Sequence, residues 1–250
     1  DWTQLQGNAN RSGNAPTESI SANMGLLGAV PLSDGICTCP VVADGHVFVV
    51  DGSGVVFSID IATQEVVWKF ATSGGLGNCN NVASPAIAGD YLHVGTMAGF
   101  YYVLNRQTGA VVKAIDCVEP IFAAPAVGSD RVYFATLGAR IHAIELNGDA
   151  CWTWDFVKEV IQFEGDRWSG ADWLAHRKDR VTWRDHFVCS RDICLVGKTI
   201  VIPAGGRTVF VDDAGDAPKL RAVGEIPSYA GREFPATFGQ RADEIGSAHV

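Results

Sequence analysis

Three stretches of the chain copy one another at a spacing of about 40–45 residues, and few folds tolerate such a period. They run Cys39–Phe70, Ser84–Ile115 and Ala124–Phe156. Pro40, Pro85 and Pro125 open them, and Ile59, Leu104 and Ile144 recur at the same two offsets. A fourth copy, Arg191–Leu220, follows after a longer interval, so additional chain lies between copies three and four. Self-similarity at this spacing means stacked supersecondary units, none of which can bury its apolar face alone.

Inside each copy, short apolar runs alternate with Gly/Asp turns. In the first, Pro40–Val42, His46–Val50, Val55–Ile61 and Glu65–Phe70 read as four strands joined by tight turns. No segment of helical period joins successive copies, which excludes βαβ architectures. The composition agrees: 47% apolar residues, 28 glycines and only 19% charged residues suit a sheet-rich core with many turns. The expected fold is therefore all-β, a β-propeller of four-stranded antiparallel blades. About four blades and a partial fifth are visible.

The third turn of each copy narrows the type. Asp60-Ile-Ala-Thr63-Gln-Glu-Val-Val-Trp68-Lys-Phe70 and Asn105-Arg-Gln-Thr108-Gly109 share a polar residue, a Thr-Gly-like turn and then the outer strand. The third copy shortens the turn to Glu145-Leu-Asn147-Gly148 and carries Trp152 and Trp154. An outer-strand Trp is expected to lie flat on the neighbouring sheet, where it buries a large aromatic area. This pattern resembles the repeat of the pyrroloquinoline-quinone-type propellers, a family holding both quinoprotein alcohol dehydrogenases and non-enzymatic outer-membrane barrel-assembly lipoproteins. The opening Asp1-Trp2-Thr-Gln-Leu-Gln-Gly7-Asn8-Ala-Asn-Arg11-Ser-Gly13 is similar to the start of such proteins. The resemblance implies an intact ring of seven or eight blades, so the sequence is expected to be part of a longer protein, with closure of the ring by another chain as the alternative.

The expected organisation is an opening segment with a closing strand (1–35), blades 1–3 (36–156), an insertion with a short helix (157–187), blade 4 (188–226), and the start of a further blade or tail (227–250). Gly28–Leu32 is placed to act as an outer strand of the last blade. Phe234–Gly239 resembles the first strand of a fifth unit.

Charge and cysteines limit function. A net charge of −9 provides no basic stripe to neutralise phosphates, which argues against nucleic acid. No apolar run is long enough to span a membrane as a helix. The seven cysteines include no C-x-x-C pair, so zinc ribbons and thioredoxin motifs are unsupported. They fit a periplasmic or extracellular location, with Cys37, Cys39, Cys79, Cys117, Cys189 and Cys194 as disulfide candidates and buried free thiols as the alternative.

Connections from an outer strand to the next inner strand emerge on one face of a propeller, and the insertion is such a connection. Ser169 is placed to cap a short helix from Gly170 to about Arg180. The insertion carries Trp168, Trp173, His176, Arg177, Trp183, Arg184 and His186. Trp and Arg are enriched where proteins bind other proteins, so these seven are the candidate partner-binding residues. The competing possibility is that the tryptophans only pin the insertion to the propeller. Two histidines ten apart with no acidic or Cys pattern do not make a metal motif.

No catalytic, cofactor or metal residue is assigned. The dehydrogenases that the repeat resembles carry adjacent cysteines beneath the quinone and a Glu/Asn/Asp set for calcium. Here Cys37-Thr38-Cys39 leaves a one-residue gap, and Asp212, Asp213 and Asp216 sit at an ordinary blade turn. The expectation is a non-catalytic scaffold without cofactor, binding other protein subunits in an exported assembly. The alternative is part of a quinone-dependent, alcohol dehydrogenase-like enzyme that uses pyrroloquinoline quinone and calcium.

Overall fold

The computed structural model describes residues 1–19, 23–74, 78–176 and 186–225. They form a β-propeller arc of four antiparallel sheets, each ordered from inner to outer strand in chain order. Blade 1 comprises β1 (Val41–Ala43), β2 (His46–Val50), β3 (Val55–Asp60) and β4 (Val66–Ala71). Blade 2 comprises β5 (Ala86–Ala88), β6 (Tyr91–Gly95), β7 (Phe100–Asn105) and β8 (Val111–Asp116). Blade 3 holds β9 (Ala126–Val127), β10 (Arg131–Ala135), β11 (Arg140–Glu145) and β12 (Ala150–Asp155). Blade 4 holds β13 (Cys194–Val196), β14 (Thr199–Ala204), β15 (Arg207–Asp213) and β16 (Pro218–Glu225). Phe234–Gly239 lies outside the described residues.

Side chains alternate across each pleat, so every blade presents one apolar row to each neighbour. Phe48, Val50 and Val56 of blade 1 meet Leu92, Val94 and Leu104 of blade 2. The opposite row of blade 2, Tyr101 and Val103, meets Val132, Phe134 and Ile144 of blade 3. Tyr133, Ile141 and Ala143 then face Ile200, Ile202, Val209 and Val211 of blade 4. The core is thus a series of layers between sheets, which is why no single copy could fold alone. Between blades 2 and 3, Tyr101 and Phe134 stack at 3.7 Å between ring centroids, and His142 continues the stack at 4.6 Å.

The outer-strand Trp behaves as its position predicts. Trp68 lies over Gly109 of the next blade and donates its Nε1 hydrogen to the Arg106 carbonyl at 3.0 Å. Gly109 is required twice. Its φ is +72°, and a Cβ there would lie 2.7 Å from the Trp68 ring. Between blades 3 and 4, Trp152 instead donates to the Asp213 carboxylate at 3.3 Å, which also accepts the Tyr133 hydroxyl at 2.6 Å and Arg131 at 2.9 Å.

The N-terminal segment threads the inner edge of all four blades. Trp2 pairs with Val42 in both directions at 2.8 Å, and the Thr3 carbonyl accepts the Ile87 N–H at 2.7 Å. The Gln4 side chain brackets Val127 of blade 3, accepting from its N–H at 3.0 Å and donating to its carbonyl at 3.3 Å. The Ala9 carbonyl accepts the Leu195 N–H of blade 4 at 2.8 Å. Backbone groups that an inner edge strand would otherwise leave open are satisfied in turn. Gly28–Leu32, expected as an outer strand, joins no sheet among the described residues. It runs past blade 1 instead, where the Gln64 amide donates to the Leu27 carbonyl at 3.2 Å.

Candidate functional site

The insertion leaves blade 3 at the end of β12 as a short π-helical turn, Val157–Ile161, followed by α1 (Gly170–His176). Ser169 starts that helix as its sequence suggested. The Ser169 hydroxyl accepts the Asp172 N–H at 3.2 Å and donates to the Asp172 carboxylate at 3.1 Å. The described helix ends at His176, and residues 177–180 lie outside the described residues.

A buried charge cluster clamps this segment to the rim. The Arg167 guanidinium is 7% exposed and donates to the Gly138 carbonyl at 2.7 Å and to the Asp155 carboxylate. Its Nε lies 3.8 Å from Glu119 Oε1, on the connection between blades 2 and 3. Arg140 bridges the same two acids, at 3.1 Å from Glu119 and 3.3 Å from Asp155. Thr136 donates its hydroxyl to Glu119 at 2.6 Å. Gly138 is part of the design, since a Cβ there would sit 2.3 Å from the Glu119 carboxylate. Two cations and two anions therefore neutralise one another, which is the condition for burying charge without a large penalty. Burial pushes the Asp155 carboxyl up, but the Arg167 hydrogen bond and charge, with Lys158 N–H and Arg140, hold it below the usual carboxylate range.

The candidate residues divide into two groups. Trp173 is 1% exposed, sandwiched between Phe163 at 3.8 Å and His186 at 4.3 Å, and its Nε1 hydrogen goes to the Arg167 carbonyl at 2.9 Å. Trp173 and His186 are thus the insertion's own core, a correction to their expected role in partner contact: both are buried and leave no surface to offer. Trp168 stays exposed, with its edge against Phe187 at 5.3 Å. His176 is exposed and edge-on to Phe163 at 5.2 Å. Leu174, on the same helix, is 56% exposed, and Val118 on the neighbouring connection is 81% exposed. Arg177, Trp183 and Arg184 lie outside the described residues. Arg167 was visible in sequence only as one of several arginines. Glu119, Arg140 and Asp155 gave no signal, because nothing local shows that two connections and a strand end converge.

None of the seven cysteines is bonded to another. Cys37, Cys39 and Cys79 are exposed, whereas Cys117 and Cys189 are buried in different inter-blade layers and so cannot meet. The disulfides expected among Cys37, Cys39, Cys79, Cys117, Cys189 and Cys194 are therefore not formed in this structure. Burial pushes the Cys117 thiol up to about 12, aided by Asp116 and Glu119, and burial beside Asp192 does the same to Cys189.

Among the described residues, the cysteines and acids considered for a quinone and calcium site do not fit one. Cys37 and Cys39 flank a buried Thr38 that donates to the Val50 carbonyl at 2.7 Å, so their thiols do not form an adjacent-cysteine platform. The acidic turn is committed to protein contacts: Asp212 accepts the Thr199 hydroxyl at 2.6 Å, and Asp213 is held by Arg131, Tyr133 and Trp152. Among the described residues, no group of three or more His, Cys, Asp or Glu side chains is arranged to hold a metal ion.

Comparisons with known proteins place the chain. A curated outer membrane protein assembly factor BamB from Legionella pneumophila is 26% identical over 137 residues, covering 51% of this chain and 35% of that protein. Among solved structures, quinohemoprotein alcohol dehydrogenase from Comamonas testosteroni matches 95% of this chain and 42% of its own, at 18% identity and a TM-score of 0.71. A europium-containing methanol dehydrogenase matches 94% of this chain and 50% of its own, at 14% identity and a TM-score of 0.65. At such identities the structural matches show the fold alone. The chain spans about a third of the curated relative's length and half or less of these two solved structures. The family model described as outer membrane protein assembly factor BamB matches residues 29–146 and 81–166, more than half the chain, and the protein belongs to this family of pyrroloquinoline-quinone-type repeat propellers.

Proposed function

We propose that the protein is a non-catalytic propeller scaffold in an exported assembly of the cell envelope, and that the insertion on the blade 3–blade 4 rim is the surface that holds another protein subunit. The observation that carries this reading is a rigidly clamped segment with apolar side chains turned outward. Arg167 fixes the insertion to Glu119, Asp155 and Gly138, while Trp168, Leu174 and the adjacent Val118 remain exposed. Apolar groups held on a rigid support lose little conformational freedom on binding, as an interface anchor requires. Membership in a family described by an assembly factor supports the same reading.

The test is a paired surface variant, Trp168→Ala with Leu174→Ser, which leaves the Arg167 clamp in place. The tagged full chain is isolated from its native envelope with its bound subunit, and the variant should lose that subunit while its circular dichroism spectrum stays that of the folded parent. Retention equal to the parent would refute the docking surface. Dye-linked alcohol oxidation on adding pyrroloquinoline quinone and Ca²⁺ would refute the non-catalytic reading in favour of a quinone-dependent enzyme.

A further inference from the structure

The junction between blades 3 and 4 differs from the others in its connectivity. Residues 72–85 join blade 1 to blade 2 and 117–125 join blade 2 to blade 3, whereas 156–193 join blade 3 to blade 4. A longer connection restrains neighbouring sheets less by covalent linkage alone, so contacts made across the junction carry more of the restraint. Arg11 sits at this junction. Its Nε donates to the Ile193 carbonyl at 3.2 Å, just before β13 of blade 4. One terminal nitrogen donates to the Ala124 and Pro125 carbonyls, at 3.1 and 2.9 Å, just before β9 of blade 3. The other donates to Leu5 at 3.0 Å within its own segment. Asp192 reinforces the link by accepting the Ala124 N–H at 2.7 Å. Arg11 also has a φ of +56°, a conformation that side-chain-bearing residues rarely keep unless their surroundings enforce it.

We infer that Arg11 is a positioning residue: it clasps blade 4 to blade 3 where the covalent connection between blades is longest, and so fixes the rim from which the insertion projects. The planar guanidinium suits this task because it can reach three separate backbone segments at once, which a point-charge ammonium cannot. The consequence for docking rests on the proposed function; the clasp itself does not.

Amide hydrogen exchange of the full chain tests it. Arg11→Ala should accelerate exchange by about tenfold at Leu195 and Cys189, whose N–H groups bond Ala9 and Leu137, while β2 and β3 of blade 1 stay unchanged. Arg11→Lys should produce a smaller acceleration at the same places. Unchanged protection at the junction would overturn the clasp, and so would an equal rise across all four blades, which would mean general stabilisation. If Arg11→Ala does not fold, the Arg11→Lys pattern decides, and its absence overturns the inference. Subunit retention forms a separate arm. Loosened exchange with full retention would keep the clasp and refute only the docking role of the rim.

Discussion

Replacing Arg167 with Met keeps an unbranched apolar stem but removes the guanidinium that anchors the insertion. Glu119 is 4% exposed, and after the substitution both it and Asp155 must share Arg140 alone. Removing one partner of a buried ion pair costs about 3–5 kcal/mol where no other cation remains. Arg140 stays within 3.3 Å of both acids, so the lower end applies, about 3 kcal/mol including the lost bond to the Gly138 carbonyl. Urea denaturation followed by circular dichroism measures this directly. The pH dependence provides a second signature. The folded Asp155 carboxyl lies below its unfolded range, so its contribution is complete above the unfolded value, about 4, and is lost as pH falls through the folded one. Arg167→Met should therefore flatten the acid limb of the stability curve, and Asp155→Asn should add little on top of it. A cost below about 0.5 kcal/mol, or fully additive effects of the two substitutions, would show that the insertion is held by its aromatic core and not by the charge cluster.

Gly109→Ala should destabilise by about 2 kcal/mol or more, because the methyl meets the Trp68 ring and φ is positive; thermal melting checks it. His93 is fully buried and its pKa is lowered to about 4 by burial, against the opposing hydrogen bond to the Leu146 carbonyl. Its folded value lies below the unfolded one, near 6.5, so its contribution is present above about pH 6.5 and falls away towards pH 4, by about 3 kcal/mol in all. His93→Leu should weaken that slope in chemical denaturation across the same window. Under native conditions, Cys37, Cys39 and Cys79 should react with iodoacetamide while Cys117 and Cys189 react only after unfolding, as read by peptide mass spectrometry. Protection of the three exposed thiols that reductant removes would instead reveal disulfides.

Some of the site was legible beforehand and some was not. Ser169 capping Asp172 is a local pattern, written within four residues, and the helix start followed from it. Trp173 was legible as a large aromatic group, but whether it met a partner or pinned the insertion was left open. Its surroundings, Phe163 and His186, are set by the return of the chain to blade 4. The disulfide candidates failed to pair because compositional abundance says nothing about whether two thiols share a layer. Glu119 stands between Val118 and Pro120 in an ordinary connection, and only the approach of Arg140 and Arg167 from other parts of the chain makes it an anchor.

The sequence by itself determined the repeat, the four-stranded blades, and the packing of an outer-strand Trp on the neighbouring sheet. These depend on period, turn chemistry and side-chain alternation, all properties of residues close together in the chain. Only the tertiary structure decided that the N-terminal segment links four inner strands, that Arg11 closes the junction behind the insertion, and that Asp213 serves as an inter-blade acceptor. Those features join residues far apart in sequence, Asp213 through side-chain donors and the other two largely through backbone groups. A carbonyl has the same chemistry in every residue, so no amino-acid type marks in advance which one an arginine will find.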